Sequence, residues 1–434
     1  MLLILNLRAE GNPSAVNFAG VMMQKTPKGL RLQIGIFGKR NAGKSSLLNA
    51  LTGQEVSIVS STPGTTADPV EKPMELLPLG PVLLIDTAGL DDDAGELGGL
   101  RAGKSRRILE RTDLALLVSD GSWSAFEEQL AQELRQRNIP FIVVFNKTDL
   151  QRPDSAILEK LAAAKTETVQ LSARTGAGMD DLRRAVLQLA PEDFMNSAAL
   201  LDGLAPAGQP ILLITPIDKE APRGRLILPQ VQAIRDALDH DAWCVVVKEN
   251  QVTAALETLK TPPALAVTDS QVFGVVGKLV PESVPLTSFS ILMARLKGDL
   301  TACARGAAAI GKLTNDSTVM IAEACSHPPI EEDIGRVKIP AWLRNHGLPG
   351  LNFRFVQGHD FPEDLSGVDL VIHCGGCMFN RREILYRILH CARQGVPFTN
   401  YGTAIAYCFG ILERALKPFP EAWQAWHEQI GRPV

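Results

Sequence analysis

The 434-residue chain has no apolar run of about 18 residues or more, so nothing in it reads as a membrane-spanning helix. An excess of one charge sign is also lacking: Lys and Arg number 44, Asp and Glu 48, for a formal net charge of −4. So balanced a chain has no global field to attract nucleic acid or anionic lipid, and neither partner is expected, although a local basic patch is compatible with it. Cysteine is scarce before residue 300, where only Cys244 occurs; Cys303, Cys325, Cys374, Cys377, Cys391 and Cys408 follow. An odd count without an export signal predicts reduced thiols in a cytoplasmic protein, not a disulfide frame. The opening "LLILNL" is short, has no basic flank before it and meets Arg8 at once, unlike a secretory signal. Residues 1–28 therefore read as a disordered leader, or as sequence upstream of a start at Met22 or Met23.

The length suffices for two to four domains, and the apolar (45%) and charged (21%) shares are those of an ordinary globular protein. "LRLQIGIF" (30–37) reads as a strand feeding "GKRNAGKSSLLNALTG", in which Gly38, Gly43, Lys44 and Ser45 match the phosphate-loop pattern and a helix follows. Backbone N–H groups of such a loop turn inward on phosphates, and the helix N-terminus adds partial positive charge. Nucleotide contacts are accordingly assigned to Gly38, Lys39, Arg40, Asn41, Ala42, Gly43, Lys44, Ser45 and Ser46. Lys44 neutralises the β- and γ-phosphates, and Ser45 holds Mg2+. "VLLIDTAGL" (82–90) is a buried strand that places Asp86 at the Mg2+ shell and the Gly89 N–H at the γ-phosphate. In "STPGTTADP" (61–69), Thr66 reaches Mg2+ when GTP is bound, with Thr65 the competing choice. Catalytic roles fall to Lys44, Thr66 and Gly89. "FIVVFNKTD" ends in Asn146, Lys147 and Asp149, whose carboxylate can accept two N–H donors of guanine; adenine offers no such pair. Ser172 and Ala173 supply backbone contacts to the guanine carbonyl. Five elements in order, each at a strand end, predict a GTPase.

The loop with Asn41 inside it resembles the Era/MnmE-like branch of GTPases, where that Asn ligates a potassium ion; a loop-shaping hydrogen bond is the alternative. Leu90 stands where Ras-like proteins carry a water-orienting Gln. The resemblance implies slow, cation-assisted hydrolysis, with K+ stabilising developing charge beside the phosphates.

Past a Pro- and Gly-rich stretch near residue 195, β-rich runs alternate with helical pattern from "PILLITPI" to "ALAVTDSQVF", predicting a small parallel α/β unit. Its charged loop (Asp218, Lys219, Glu220, Arg223) reads as solvated, and the unit as a packing or oligomerisation module. From about Ser288 small residues dominate a helical stretch (288–313), where Cys303 reads as core. "STVMIAEACSH" then brings Cys325 and His327 to a strand end, and "DLVIHCGGC" brings His373, Cys374 and Cys377 to another. If the two strands are parallel neighbours, these groups share one sheet edge. Zinc on two Cys and two His, or an iron–sulfur cluster on thiolates, both suit such a set. Gly375 and Gly376 keep bulk off the turn. Cys391 and Cys408 read as core thiols.

A GTPase of this branch followed by C-x-H, 45 residues and H-C-x-x-C resembles the HydF family of FeFe-hydrogenase maturation GTPases over nearly the whole chain after about residue 25. The resemblance implies an α/β protein: a P-loop GTPase domain (29–194) followed by two smaller α/β domains with mainly parallel sheets, one for dimerisation (195–286) and one for cluster binding and possible tetramer formation (287–434). It implies a 4Fe–4S cluster on Cys325, Cys374 and Cys377, with His327 and His373 as possible ligands or as orienting partners. It also implies a homodimer or tetramer that carries a transient diiron precursor to apo FeFe-hydrogenase and meets radical-enzyme maturases. Three thiolates leave one iron an exchangeable position. A tRNA-modifying or ribosome-assembly GTPase, or a zinc-stabilised GTPase module, are the rival readings.

Overall fold

The computed structural model describes residues 26–53, 69–87, 107–191, 194, 199–217, 226–324 and 333–431. Among the described residues the first part holds six strands: four are apolar runs too short for helices, and two, Val70–Leu76 and Glu167–Gln170, are rich in polar residues. The six are β1 (Leu32–Gly38), β2 (Val70–Leu76), β3 (Gly80–Asp86), β4 (Leu114–Ser119), β5 (Phe141–Phe145) and β6 (Glu167–Gln170). They form one sheet in the order β2-β3-β1-β4-β5-β6, parallel except for the β2–β3 pair. Helices α1 (Lys44–Thr52), α2 (Ala125–Gln136), α3 (Ser155–Ala163) and α4 (Met179–Leu189) connect them. Hydrophobic clusters lie on both faces of the sheet, so β1, β4 and β5 are buried along their whole length. This two-sided burial explains why β4 and β5 read as continuous apolar runs; β1 instead reads as alternating, with Gln33 and Gly35 buried between its apolar residues.

The second sheet contains β7 (Pro210–Ile214), β8 (Trp243–Val247), β9 (Leu265–Thr268) and β10 (Leu286–Ser288) in the order β10-β9-β7-β8. Helices α5 (Leu228–Asp239), α6 (Val252–Thr258) and α7 (Phe273–Leu279) make its crossovers. The third sheet contains β11 (Thr318–Glu323), β12 (Asn352–Gln357), β13 (Leu370–His373) and β14 (Phe398–Asn400) in the order β12-β11-β13-β14. Around it lie α8 (Phe289–Lys297), α9 (Leu300–Ala309), α10 (Ile339–Asn345), α11 (Arg381–Arg393), α12 (Tyr401–Cys408), α13 (Leu412–Leu416) and α14 (Pro420–Gln429). Both sheets are parallel throughout. The boundary expected after residue 286 falls inside β10, which runs straight into α8, and one hydrophobic core spans both units. The helical stretch expected over 288–313 is two helices. Asp299 breaks it by accepting the Ala302 N–H and so capping α9.

The first and third units are joined by a polar junction. Asn380 Nδ2 donates to Arg111 O (2.7 Å) and to both oxygens of Asp113 (3.0 Å each), while its Oδ1 caps α11 at the Glu383 N–H. Arg382 donates to Thr112 O (2.8 Å) and Asn138 O (2.7 Å). Residues 26–28, the end of the expected leader, lie against the first sheet: Thr26 O accepts from Arg31, and Lys28 pairs with Glu71. Burial raises the Asp113 carboxyl to about 6, against the Gln33 N–H and the Asn380 side chain. The folded state thus holds a proton that an unfolded Asp releases near pH 3.8. The stability this proton contributes is complete below that pH and is lost as pH rises through about 6. Asp113→Asn is therefore expected to raise the melting temperature relative to wild type more at about pH 7.5 than at about pH 5. A pH-independent difference between the two proteins would contradict this.

Candidate functional site

Parallel strands deliver their C-terminal ends to one edge, and the phosphate loop follows β1 there. Asn41 (φ 60°) and Gly43 (φ 94°) turn the loop into α1. At Gly43 a Cβ would also come within 2.2 Å of Asn146 Nδ2, so both the backbone conformation and the space demand glycine. Lys44 Nζ donates to Gly38 O (2.9 Å) and Lys39 O (2.8 Å), which holds its ammonium inside the loop. Ser45 Oγ donates to Asp86 Oδ2 at 2.6 Å, so the two side chains assigned to Mg2+ meet across β1 and β3. Ser46 sits in the first turn of α1, and Arg40 and Ala42 in the loop.

The base-reading segment is tied to the same loop. Asn146 Nδ2 donates to Ala42 O (3.1 Å), and its Oδ1 accepts the Ala173 N–H (3.0 Å). Asn146 thus staples the phosphate loop to the 172–173 turn. Lys147 Nζ donates to Asn41 O, and Ser172 Oγ donates to Asp149 Oδ1 at 2.6 Å. These contacts pre-orient the donors and carboxylate that the sequence assigns to GTP and Mg2+. One partner was missed: Glu127, which caps α2 through Ser124 and pairs with Lys39 at 3.1 Å. Thr65, Thr66, Gly89 and Leu90 lie outside the described residues, as does the 218–223 charged loop.

In the third sheet, β11 and β13 are parallel neighbours with Ala322 opposite His373. The sequence condition for a shared edge is met. Cys374 N–H donates to Ala322 O (2.9 Å), and Cys374 Sγ accepts from Ala324 N–H (3.1 Å) and Gly376 N–H (3.5 Å). Burial pushes the Cys374 thiol up to about 11; Cys377 adds to the rise and the two N–H groups oppose it. Cys325 and His327 lie outside the described residues, but Ala324, whose N–H touches the Cys374 sulfur, is the residue just before Cys325. Gly376 has φ 62°, and a Cβ there would meet Ile384 Cδ1 at 2.7 Å. Over Gly375 a Cβ would meet no atom within 4 Å, so the turn faces open space there. Two thiols, backbone N–H groups on sulfur and an uncrowded glycine fit a thiolate-bound cluster. Among the described residues, no three His, Cys, Asp or Glu side chains gather as a metal site.

His373 needs correction as a possible ligand. Its ring is buried, and Arg387 donates to its Nε2 at 3.1 Å. A guanidinium only donates, so Nε2 accepts, and Nδ1 carries the proton it shares with Cys374 O at 2.8 Å. Both nitrogens are engaged, and burial with the Arg387 charge lowers the pKa to about 3. His373 therefore orients the Cys374 backbone from behind. Arg387 in turn donates to Glu383 (2.9 Å) and Gly358 O (2.7 Å) and lies over the Phe379 ring at 4.4 Å. Cys303 and Cys391 are core thiols raised by burial, as expected, and Cys408 is pushed up to about 12 by the same cause. Arg387, Asn380 and Lys297 escaped the sequence reading. For Lys297 and Arg387 the available signal was a basic residue within an apolar helical stripe; for Asn380 it was an N-cap residue three before Glu383.

Residues 33–147 match the 50S ribosome-binding GTPase family, residues 200–298 the hydrogen maturase F dimerization domain, and residues 301–418 the hydrogen maturase F tetramerization domain. The tRNA modification GTPase MnmE of Synechococcus sp. (strain RCC307) is 34% identical over 223 residues, 50% of this chain and 44% of that protein. MnmE of Methylococcus capsulatus is 40% identical over 158 residues, 36% of this chain and 34% of that one. The chain thus spans less than half the length of these relatives. A crystal structure of Aquifex aeolicus Era bound to GDP and AlF4- aligns with a TM-score of 0.34 and 31% identity, over 37% of this chain and 56% of that one. The chain belongs to the hydrogen maturase F (HydF) family: a GTP-hydrolysing domain of the Era/MnmE branch, followed by that family's dimerization and tetramerization domains.

Proposed function

We propose that this chain is a cytoplasmic GTPase scaffold that binds a 4Fe–4S cluster through Cys325, Cys374 and Cys377 and carries a diiron precursor to apo FeFe-hydrogenase, working as a homodimer or tetramer. The observation that carries the reading is the Ala324 N–H on Cys374 Sγ at 3.1 Å, which brings the residue before Cys325 onto the first thiol of the Cys374–Cys377 turn. When bound on three thiolates, such a cluster supplies one iron with an exchangeable position, to which cargo can attach. The chain's own residues do the rest. β13 carries Cys374 and Cys377 to the sheet edge where β11 also ends, His373 and Arg387 fix the Cys374 carbonyl, and Gly375 keeps the approach open. Radical-enzyme maturases, by family resemblance, supply the cargo. A tRNA or ribosomal role would follow from the MnmE and Era likeness alone, and the two hydrogen maturase F domains favour the scaffold.

At the other site, Lys44 neutralises phosphate charge while Ser45 and Asp86, already in contact, hold Mg2+. We assign the monovalent-cation position to Asn41, whose left-handed backbone is fixed by the Lys147 bond to its carbonyl. Thr66 and Gly89 sense the γ-phosphate in this reading.

Purified anaerobically, the wild-type chain is expected to be brown and to contain iron and sulfide. Cys374→Ala should bleach it while GTP turnover stays within about twofold, because well-separated sites act independently. Loss of both together would contradict the separation, and a colourless wild type holding zinc would contradict the cluster. Replacing K+ by Na+ in the assay is expected to lower kcat for the wild type by about tenfold, and Asn41→Ala to abolish that difference. A wild type indifferent to the cation removes Asn41 from this role.

A further inference from the structure

Lys297 ends α8, where a lysine ordinarily reaches into water. Here it is 4% exposed. Its Nζ donates to three carbonyl oxygens of one short segment: Gly376 O (3.2 Å), Cys377 O (3.0 Å) and Phe379 O (2.7 Å). An ammonium has three N–H donors, and all three are used on this segment. The tie is reciprocal, because Arg381, just past the segment, donates to Leu296 O (2.8 Å) and Gly298 O (3.1 Å), the carbonyls on either side of Lys297. Gly376 O also accepts the Phe379 N–H (3.0 Å), but three buried carbonyls converging on one point still build a negative potential beside two thiols, which a cation at that point offsets.

The geometry has a second effect. In a trans peptide the C=O and the N–H of the next residue point in opposite directions. With the carbonyls of Gly376 and Cys377 drawn to Lys297, the N–H groups of Cys377 and Met378 point away from it. We propose that Lys297 is a positioning residue for the Cys374–Cys377 turn: it gathers the turn's carbonyls on one side, so that the Cys377 and Met378 N–H groups face the other side as donors to anionic sulfur. The inference rests on the cluster reading above and adds the residue that sets the polarity of its binding turn.

The test reconstitutes full-length wild type, Lys297→Met and Lys297→Gln anaerobically with iron and sulfide. It reads iron per chain, iron release to a chelator, the EPR spectrum and the midpoint potential, with GTP turnover and a melting curve as controls of folding. Outer partners of metal ligands typically carry about 10–100-fold in metal affinity, so Lys297→Met should release iron at least about tenfold faster than wild type. Lys297→Gln, which keeps two donors and no charge, should fall between them. Both should show a lower midpoint potential, since a lost positive charge and lost N–H donors disfavour the reduced cluster. GTP turnover should not change. If the Met variant does not fold, the Gln variant carries the same comparison. Release rates and potentials equal to wild type overturn the inference and leave the cluster reading standing, as does a lowered melting temperature with an unchanged potential. A wild type that takes up no iron overturns the cluster reading itself, and this inference with it.

Discussion

Parallel pairing between β11 and β13 is the constraint from which the candidate cluster site follows. Two parallel neighbours must release their chains at the same edge, whatever lies between them in sequence. With Ala322 opposite His373, the residues that follow each strand meet: Cys374 on one side, Ala324 on the other. An antiparallel pair would have put the two cysteine-bearing ends at opposite edges. The buried row of Arg387, Glu383 and His373 then fixes where the second strand stops, at the cost of enclosing several polar groups that must satisfy one another.

The two sites lie at opposite ends of one strand. β1 starts beside the thiol turn: a Cβ on Gly29 would come within 2.4 Å of Phe379 O and 2.7 Å of Cys377 O. It ends at Gly38, in the phosphate loop. Seven strand residues at about 3.3 Å each separate the two by about 23 Å. The nucleotide and the thiols thus do not share a pocket. They share the sheet, and the junction of Asn380 and Arg382 with residues 111–113 and 138 fastens the far end of that sheet to the helix that follows Cys377. The junction and the start of β1, which abuts Cys377 O and Phe379 O, both connect the first sheet to the thiol turn.

Much of this was legible in the sequence, and for a physical reason. The phosphate loop, Asp86, Asn146, Asp149 and Ser172 sit at strand ends whose apolar runs are unmistakable, and their chemistry fixes their spacing. The parallel sheets were equally visible, as apolar runs alternating with helical pattern. Lys297, Asn380, Asp113 and Arg387 were not: the capping of α11 by Asn380 and the Arg387–Glu383 pair follow helix spacing, but the contacts that matter to the site reach partners far away in sequence. Lys297 and Cys377 are 80 residues apart, and Asn380 and Asp113 are 267 apart. For His373 the sequence left two roles open, ligand or orienting partner, and the contact that favours the second is likewise distant. Its spacing to Cys374 suits metal binding, but an arginine fourteen residues later occupies its second nitrogen.

The central claim is spatial: the sulfurs of Cys325, Cys374 and Cys377 hold one inorganic cluster. Anomalous diffraction at the iron edge, from crystals grown anaerobically with the reconstituted chain, tests it directly. The account predicts a single iron peak cluster at the edge of the third sheet, with all three sulfurs at bonding distance. Iron held by other residues, or a Cys325 sulfur remote from the Cys374–Cys377 turn in the iron-loaded protein, would contradict it.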